Sequence, residues 1–260
     1  ITNPAPSYAG SLMIFLFKIL QESNQLNCDV IKLIKAMEIT SLARNEVCTD
    51  PLNEMEINKV FDKSIYDKYY SNFMDDNFKS NNDSLSGFGS TTHISVIDKN
   101  NNIASITTTN GEGCGYFIPE YGIMMNNMLG EQDLNPYGFH KWETIRRLPT
   151  MICPTIILKD NKPLYVLGSG GSNRIRSAIT QVILNLIIKN MSLEDAINAP
   201  RIHLEGNNLF LEPGINLENK CNHLNINPFK EKSLFFGGVN CVSTHEAIGD
   251  FRRGGIGLVI

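Results

Sequence analysis

The apolar residues of this chain change their period at residue 91, and that change limits what the chain can build. Before it, residues 1–73 carry apolar side chains at the three- and four-residue spacing of buried helix faces. After it, "TTHISVID" and "IASITTT" follow the two-residue period of strands, with "NN" turning one into the other. Between the two, residues 74–90, "MDDNFKSNNDSLSGFGS", keep no period. Asn, Asp, Ser and Gly dominate there, which is the composition of an exposed, mobile linker. The sequence therefore predicts a helical region over 1–73, a linker over 74–90 and a strand-rich region over 91–260. Helices and hairpins in this order pack as layers of an α+β domain.

The most apolar stretch, Tyr8 to Leu20, is too short to span a bilayer and carries Lys18, so it reads as a buried helix. "DVIKLIKAMEITSLA" sets Val30, Leu33, Ile34 and Met37 at helical spacing, with Asp29 as N-cap. "DKSIYDKYYSNF" puts Ile65, Tyr69 and Phe73 on one face. In the first strand, Thr92, Ile94 and Val96 alternate with His93 and Ser95. Further strands are expected at "GIMMNN", "PTIILKD" and "LYVLGS", the last two joined in a hairpin at Asp160–Asn161. "NRIRSAITQVILNLIIKN" predicts one long helix, and "SLEDAINAP" a shorter one with a capping box at Ser192 and Asp195.

The net charge of −4 argues against nucleic acid or an acidic membrane surface as the main partner, since both require clustered Lys and Arg. Six cysteines without a CxxC pair read as reduced, buried thiols of a cytosolic protein. No basic segment precedes an apolar one, so no signal peptide is visible and a cytoplasmic location is expected. The chain starts at Ile1 rather than Met, which suggests an upstream portion that has been removed or lies on another chain. His93, His140, His203, His223 and His245 show no ligand spacing, and Cys221-Asn-His223 is too sparse for a site, so neither metal nor cofactor is expected.

Thr91 admits two readings from its surroundings. It opens a strand, as β-branched residues do, or it is a nucleophile whose base is its own α-amine, released by a cut after Ser90. The small residues of "SGFGS" suit such a cut. "LGSGGSNRIRSAI" takes a strand through Gly170 and Gly171 straight into a helix. This is a tight turn or an anion site, and an oxyanion hole is the sharper form of the latter. The loops "TTTNGEGCG" and "NNMLGEQDLNP" carry Glu112, Glu131 and Asp133, candidate acceptors for a substrate ammonium.

In order along the chain, "TTHISVIDKNNNIASITTT", "NNMLGEQDLNP", "RRLPTMICPTI", "LGSGGSNRIRSAITQ", "NAPRIH" and "GDFRRGGIG" resemble the small subunit of gamma-glutamyltranspeptidases. "NPAPSYAG" and "ARNEVCTDP" resemble the end of that family's large subunit. The resemblance implies an N-terminal-nucleophile hydrolase with a four-layer αββα sandwich. It implies a γ-glutamyl small-molecule substrate and a heterodimer, or larger assembly, formed by self-cleavage between Ser90 and Thr91.

Carried over by position, Thr91 matches the nucleophile and Thr109 the threonine that hydrogen-bonds it. Gly170 and Gly171 match the oxyanion pair, with Ser172 as a donor if the alignment moves by one residue. Asn110 lies one position before the family's asparagine. Asp133 matches the carboxylate that holds the substrate α-amine, with Glu131 as the alternative. Where the family has two adjacent serines that hold the α-carboxylate, this chain has Pro149 and Thr150, and proline offers neither hydroxyl nor N–H. The family's α-carboxylate arginine belongs to a large-subunit portion that this chain lacks. The rival expectations are an acylase of the same architecture acting on another acyl group, in the manner of cephalosporin acylases, and a non-catalytic binding subunit.

Overall fold

A computed structural model describes residues 1–49, 55–78, 91–131, 135, 138–141, 147–217 and 220–260. Helix α1 (Tyr8–Glu22) is buried along most of its length through Leu12, Phe15, Leu16, Ile19 and Leu20. Helix α2 (Val30–Val47) starts at Asp29, whose carboxylate accepts the Lys32 N–H at 2.9 Å. A 3-10 turn at Glu56–Phe61 leads into α3 (Lys63–Met74). The buried face of α3 is Tyr66, Tyr69 and Phe73, while the expected Ile65 is only partly buried. Tyr66 takes the inner place because its ring meets Phe15 edge-on at 5.8 Å while its hydroxyl reaches Glu22 at 2.8 Å. An aromatic ring with a polar tip can satisfy both. Asp76, counted in the linker by the sequence, pairs with Lys32 at 2.9 Å. Most of the expected linker, Ser90 included, lies outside the described residues.

Strands β1 (Thr91–Ile97) and β2 (Ile103–Thr109) pair antiparallel, with Thr91 opposite Thr109 and His93 opposite Thr107. A short hairpin, β3 (Phe117–Ile118) and β4 (Ile123–Met124), is all that forms of the strand expected at "GIMMNN". Strands β5 (Thr155–Lys159) and β6 (Lys162–Gly170) form the expected hairpin. Asp160 and Asn161 both take positive φ, as a two-residue turn with the twist of its strands requires. Helix α4 (Arg174–Ile183) continues into a wider π turn at Leu184–Ile188. In α5 (Leu193–Asn198) the Ser192 hydroxyl accepts the Asp195 N–H at 3.1 Å.

The remaining strands are β7 (Ile202–Glu205), β8 (Asn208–Leu211), β9 (Asn225–Pro228), β10 (Gly238–Val242) and β11 (Ala247–Ile248). Strands β7, β8 and β9 make a small sheet, and the central sheet has the order β11-β10-β6-β5. One face of the central sheet, through Leu167, Val239 and Cys241, joins the apolar core that α1 and α4 supply. The β1–β2 hairpin lies across the other face. The His93 ring rests on Gly168, where any Cβ would strike it, and Asn240 donates to the His93 carbonyl at 3.0 Å.

Helix, sheet and hairpin are three layers of the expected sandwich. The outer face of the hairpin carries Ile94, Val96 and Ile106, respectively 56%, 46% and 52% exposed, with no fourth layer over it among the described residues.

A buried charge cluster closes the C-terminal side. Arg201 pairs with Asp250 at 2.6 Å and Arg252 with Glu212 at 2.6 Å. Asp250 also accepts the Val239 N–H at 2.9 Å, which ties the cluster to β10. Such buried pairs hold geometry well, because removing one partner strands a charge away from water. All six cysteines are free, and no helix among the described residues is long and apolar enough to cross a membrane.

Candidate active site

The antiparallel register puts the first residue of β1 beside the last of β2, so two threonine hydroxyls meet at the open end of the hairpin. Thr91 Oγ1 donates to Thr109 Oγ1 at 3.0 Å, and Thr109 Oγ1 accepts the Gly111 N–H at 3.0 Å. The same inward face continues with His93, whose ring nitrogens meet Thr107 at 2.8 Å and Ser95 at 2.7 Å. Burial pushes the His93 pKa down to about 4, so the ring is neutral near pH 7. It ties Thr107 to Ser95 on the inward face, two register pairs along from Thr91 and Thr109.

The end of β6 approaches the same corner. Gly170 lies so close to Thr91 that a Cβ there would strike the Thr91 carbonyl oxygen. Ser169 fixes it from behind, donating to the Gly170 carbonyl at 2.8 Å and accepting the Gly238 N–H at 3.1 Å. Gly171 (φ 128) and Ser172 (φ 52) then turn the backbone through conformations that L-residues avoid. Helix α4 starts two residues later, with its positive end at the turn. A Cβ on Gly171 would lie 3.3 Å from the Arg253 guanidinium, which places a second positive group behind the loop. Burial lowers the Arg253 pKa.

On the other side of Thr109, the loop carrying Asn110 is braced by Asn127. Its carboxamide oxygen accepts the N–H groups of Glu112 at 2.6 Å and Gly113 at 3.0 Å, and its backbone N–H donates to the Asn110 carbonyl at 3.1 Å. The Asn110 side chain donates to the Met124 carbonyl at 3.5 Å. The Glu131 carboxylate lies against the backbone of Gly111, two residues from Thr109. Glu112 is exposed, and Asp133 lies outside the described residues.

Thr91, Thr109, Asn110, Glu131, Gly170, Gly171 and Ser172 thus come together. Thr150 does not join them in any described contact. Its hydroxyl accepts the Ile152 N–H at 3.1 Å, its carbonyl accepts the Tyr8 N–H at 3.0 Å, and it borders a separate cavity of ≈ 470 Å³ with Arg147 and residues 1–7. Pro149 beside it is buried. Sequence reasoning gave no role to His93, Asn127 or Arg253. Asn127 and Arg253 lay inside matched motifs, yet only the fold shows which way they point. Among the described residues no group of three or more His, Cys, Asp or Glu side chains is placed to hold a metal ion.

A family model described as gamma-glutamyltranspeptidase matches residues 1–257. The chain belongs to the gamma-glutamyltranspeptidase family. Curated relatives agree. Identity is 32% over 169 residues to the glutathione hydrolase proenzyme of Bacillus subtilis, covering 63% of this chain and 29% of that protein. It is 30% over 267 residues to the capsule biosynthesis protein CapD proenzyme of Bacillus anthracis, covering 96% of this chain and 49% of that protein. The chain therefore spans less than half the length of either relative. A cephalosporin acylase structure from Bacillus halodurans superposes on 93% of this chain and 46% of its own, with a TM-score of 0.71 at 17% identity, a likeness of fold. As in other members of the family, the fold is α+β and of the N-terminal-nucleophile hydrolase class.

Proposed function

We propose that the protein is a γ-glutamyl transferase and hydrolase that uses Thr91 as an N-terminal nucleophile. The observation that carries this reading is the Thr91–Thr109 hydroxyl pair at 3.0 Å, set against the Gly170–Gly171 turn. In maturation, Thr91 Oγ attacks the Ser90 carbonyl, and hydrolysis of the resulting ester leaves Thr91 with a free α-amine. In catalysis that amine takes the Thr91 proton as Oγ attacks the γ-amide carbonyl of a glutathione-type substrate. Backbone N–H groups of Gly170 and Gly171, or of Gly171 and Ser172, stabilise the oxyanion. The leaving amine departs with the proton, and water or an amino acid resolves the γ-glutamyl ester. Glu131 or Asp133 receives the substrate α-ammonium, and Asn110 lines the same loop.

This reading requires a second body of chain, the large-subunit portion that would carry the α-carboxylate arginine. The uncovered apolar face of Ile94, Val96 and Ile106 supports such a partner, because contiguous apolar surface of this kind marks an interface.

Release of p-nitroaniline from γ-glutamyl p-nitroanilide by the complete protein tests the reading. Thr91→Ala should abolish processing and turnover together, Thr91→Ser should keep some of each, and sequencing of the released subunit should begin Thr-Thr-His-Ile-Ser. Wild-type turnover by the Thr91→Ala protein would remove the mechanism. A second reading, hydrolysis of another acyl amide through the same nucleophile, is favoured by Pro149–Thr150, where a carboxylate-holding hydroxyl pair is replaced. Anilides of other acyl groups, turned over faster than the γ-glutamyl one, would select it.

A further inference from the structure

The C-terminal segment "GDFRRGGIG" reaches the layer that carries Thr91 through Asn240 of β10. Leu167, Val239 and Cys241 turn toward the apolar core, so alternation turns Gly168, Gly170, Gly238 and Asn240 toward the β1–β2 hairpin. Three of these four have no side chain, and a Cβ on any of them would collide. On Gly168 it would strike the His93 ring, on Gly170 the Thr91 carbonyl and on Gly238 the stem of Arg253. Asn240 is the fourth, level with Gly168 in the register.

The Asn240 carboxamide is used at both ends. Its Nδ2 donates to the His93 carbonyl at 3.0 Å, and its Oδ1 accepts the Asp250 N–H at 3.1 Å. A carbonyl can only accept and a peptide N–H can only donate, so the two partners fix which end of the amide is which. Gly255 backs the amide so closely that a Cβ there would strike Oδ1. Asp250 is itself anchored by Arg201 at 2.6 Å. Residue 93 is thus held twice, its ring by Thr107, Ser95 and Gly168 and its carbonyl by Asn240, two residues from Thr91.

We propose that Asn240 is a positioning residue for the Thr91 nucleophile, and that "GDFRRGGIG" is the socket that aims it. Glycines let the hairpin approach the sheet closely, but such contact has no preferred direction and leaves one layer free to slide on the other. A hydrogen bond has direction, and the Asn240–His93 bond removes that freedom. It pins β1 to β10 at residue 93, and β10 pairs with β6 through Gly238 and Gly170. Thr91 Oγ and the Gly170–Gly171 turn therefore keep one separation, where an error of about 1 Å costs roughly a hundredfold in rate. The clamp follows from this geometry alone, and its effect on rate rests on the threonine mechanism proposed above.

Asn240→Asp in the complete protein tests it, because it keeps the acceptor for the Asp250 N–H and sets a carboxylate oxygen against the His93 carbonyl. Amide hydrogen exchange read by mass spectrometry should quicken roughly tenfold in the peptide 91–97 and stay unchanged in 155–170. With γ-glutamyl p-nitroanilide, kcat per processed molecule should fall roughly ten- to a hundredfold while KM stays unchanged. A merely structural role would lower the melting temperature and leave kcat per processed molecule intact. If the aspartate variant fails to fold, Asn240→Ala, which buries no charge, decides. Wild-type exchange over 91–97 would overturn the clamp, and wild-type kcat would overturn its part in catalysis. If the unsubstituted protein turns over no γ-glutamyl substrate, the catalytic reading fails, and the exchange result still decides the clamp.

Discussion

Thr91 is held from two sides by opposite means: a hydroxyl partner at Thr109 and bare backbone at Gly170. The second is the more exacting, because no side chain fits between β6 and the Thr91 carbonyl. Gly170→Ala must move either the nucleophile or the turn, and misplacement on the order of 1 Å costs roughly a hundredfold in rate. We expect that loss in kcat for the anilide with little change in melting temperature; full activity would mean that the two backbones part freely. Thr91 and the paired glycines stood out in the sequence as a strand start and a strand-to-helix turn, each with a structural and a chemical reading. Thr109 was singled out only by the family resemblance, because its place opposite Thr91 depends on the register of the hairpin. Thr150 was legible as a motif position only, since its hydroxyl accepts the Ile152 N–H of its own turn and meets none of the Thr91 corner in any described contact.

Among the elements, the β1–β2 hairpin shows what a period can and cannot tell. Alternation marked the strand correctly, but it gave no sign that the polar set, His93 with Thr107 and Ser95, turns inward while Ile94 and Val96 face out. The helices were read well because caps and stripes are local, as at Asp29 and Ser192. Strand β7 escaped because all four of its residues, Ile202 to Glu205, are buried, and no alternation survives.

The inward histidine has a measurable consequence. Its pKa is about 4 folded against 6.5 unfolded, so above pH 6.5 it is neutral in both states and contributes nothing to pH dependence. As pH falls from 6.5 toward 4 the unfolded chain takes up the proton first, and stability drops by about 3 kcal/mol. Urea denaturation at pH 7 and pH 4.5 should show that loss in the wild type and a much smaller one in His93→Gln. Equal losses in both would mean that the ring is hydrated.

For the molecule as a whole, the uncovered outer face of the hairpin matters most. On the proposed function, replacing Ile94 and Ile106 by lysine should leave the β1–β2 ladder intact and prevent stable association with a large-subunit portion, read by co-purification of the two bodies. Normal association would place the partner elsewhere. The buried cluster of Arg201, Glu212, Asp250 and Arg252 acts over a longer reach. Asp250 holds Val239, and its neighbour Gly238 stands opposite Gly170 in the sheet. A ribosome delivers Thr91 long before it delivers Asp250. On the proposed cleavage of the Ser90–Thr91 bond, that corner is not square until late in synthesis, and translation itself would be the clock that keeps a nascent chain from severing itself too soon.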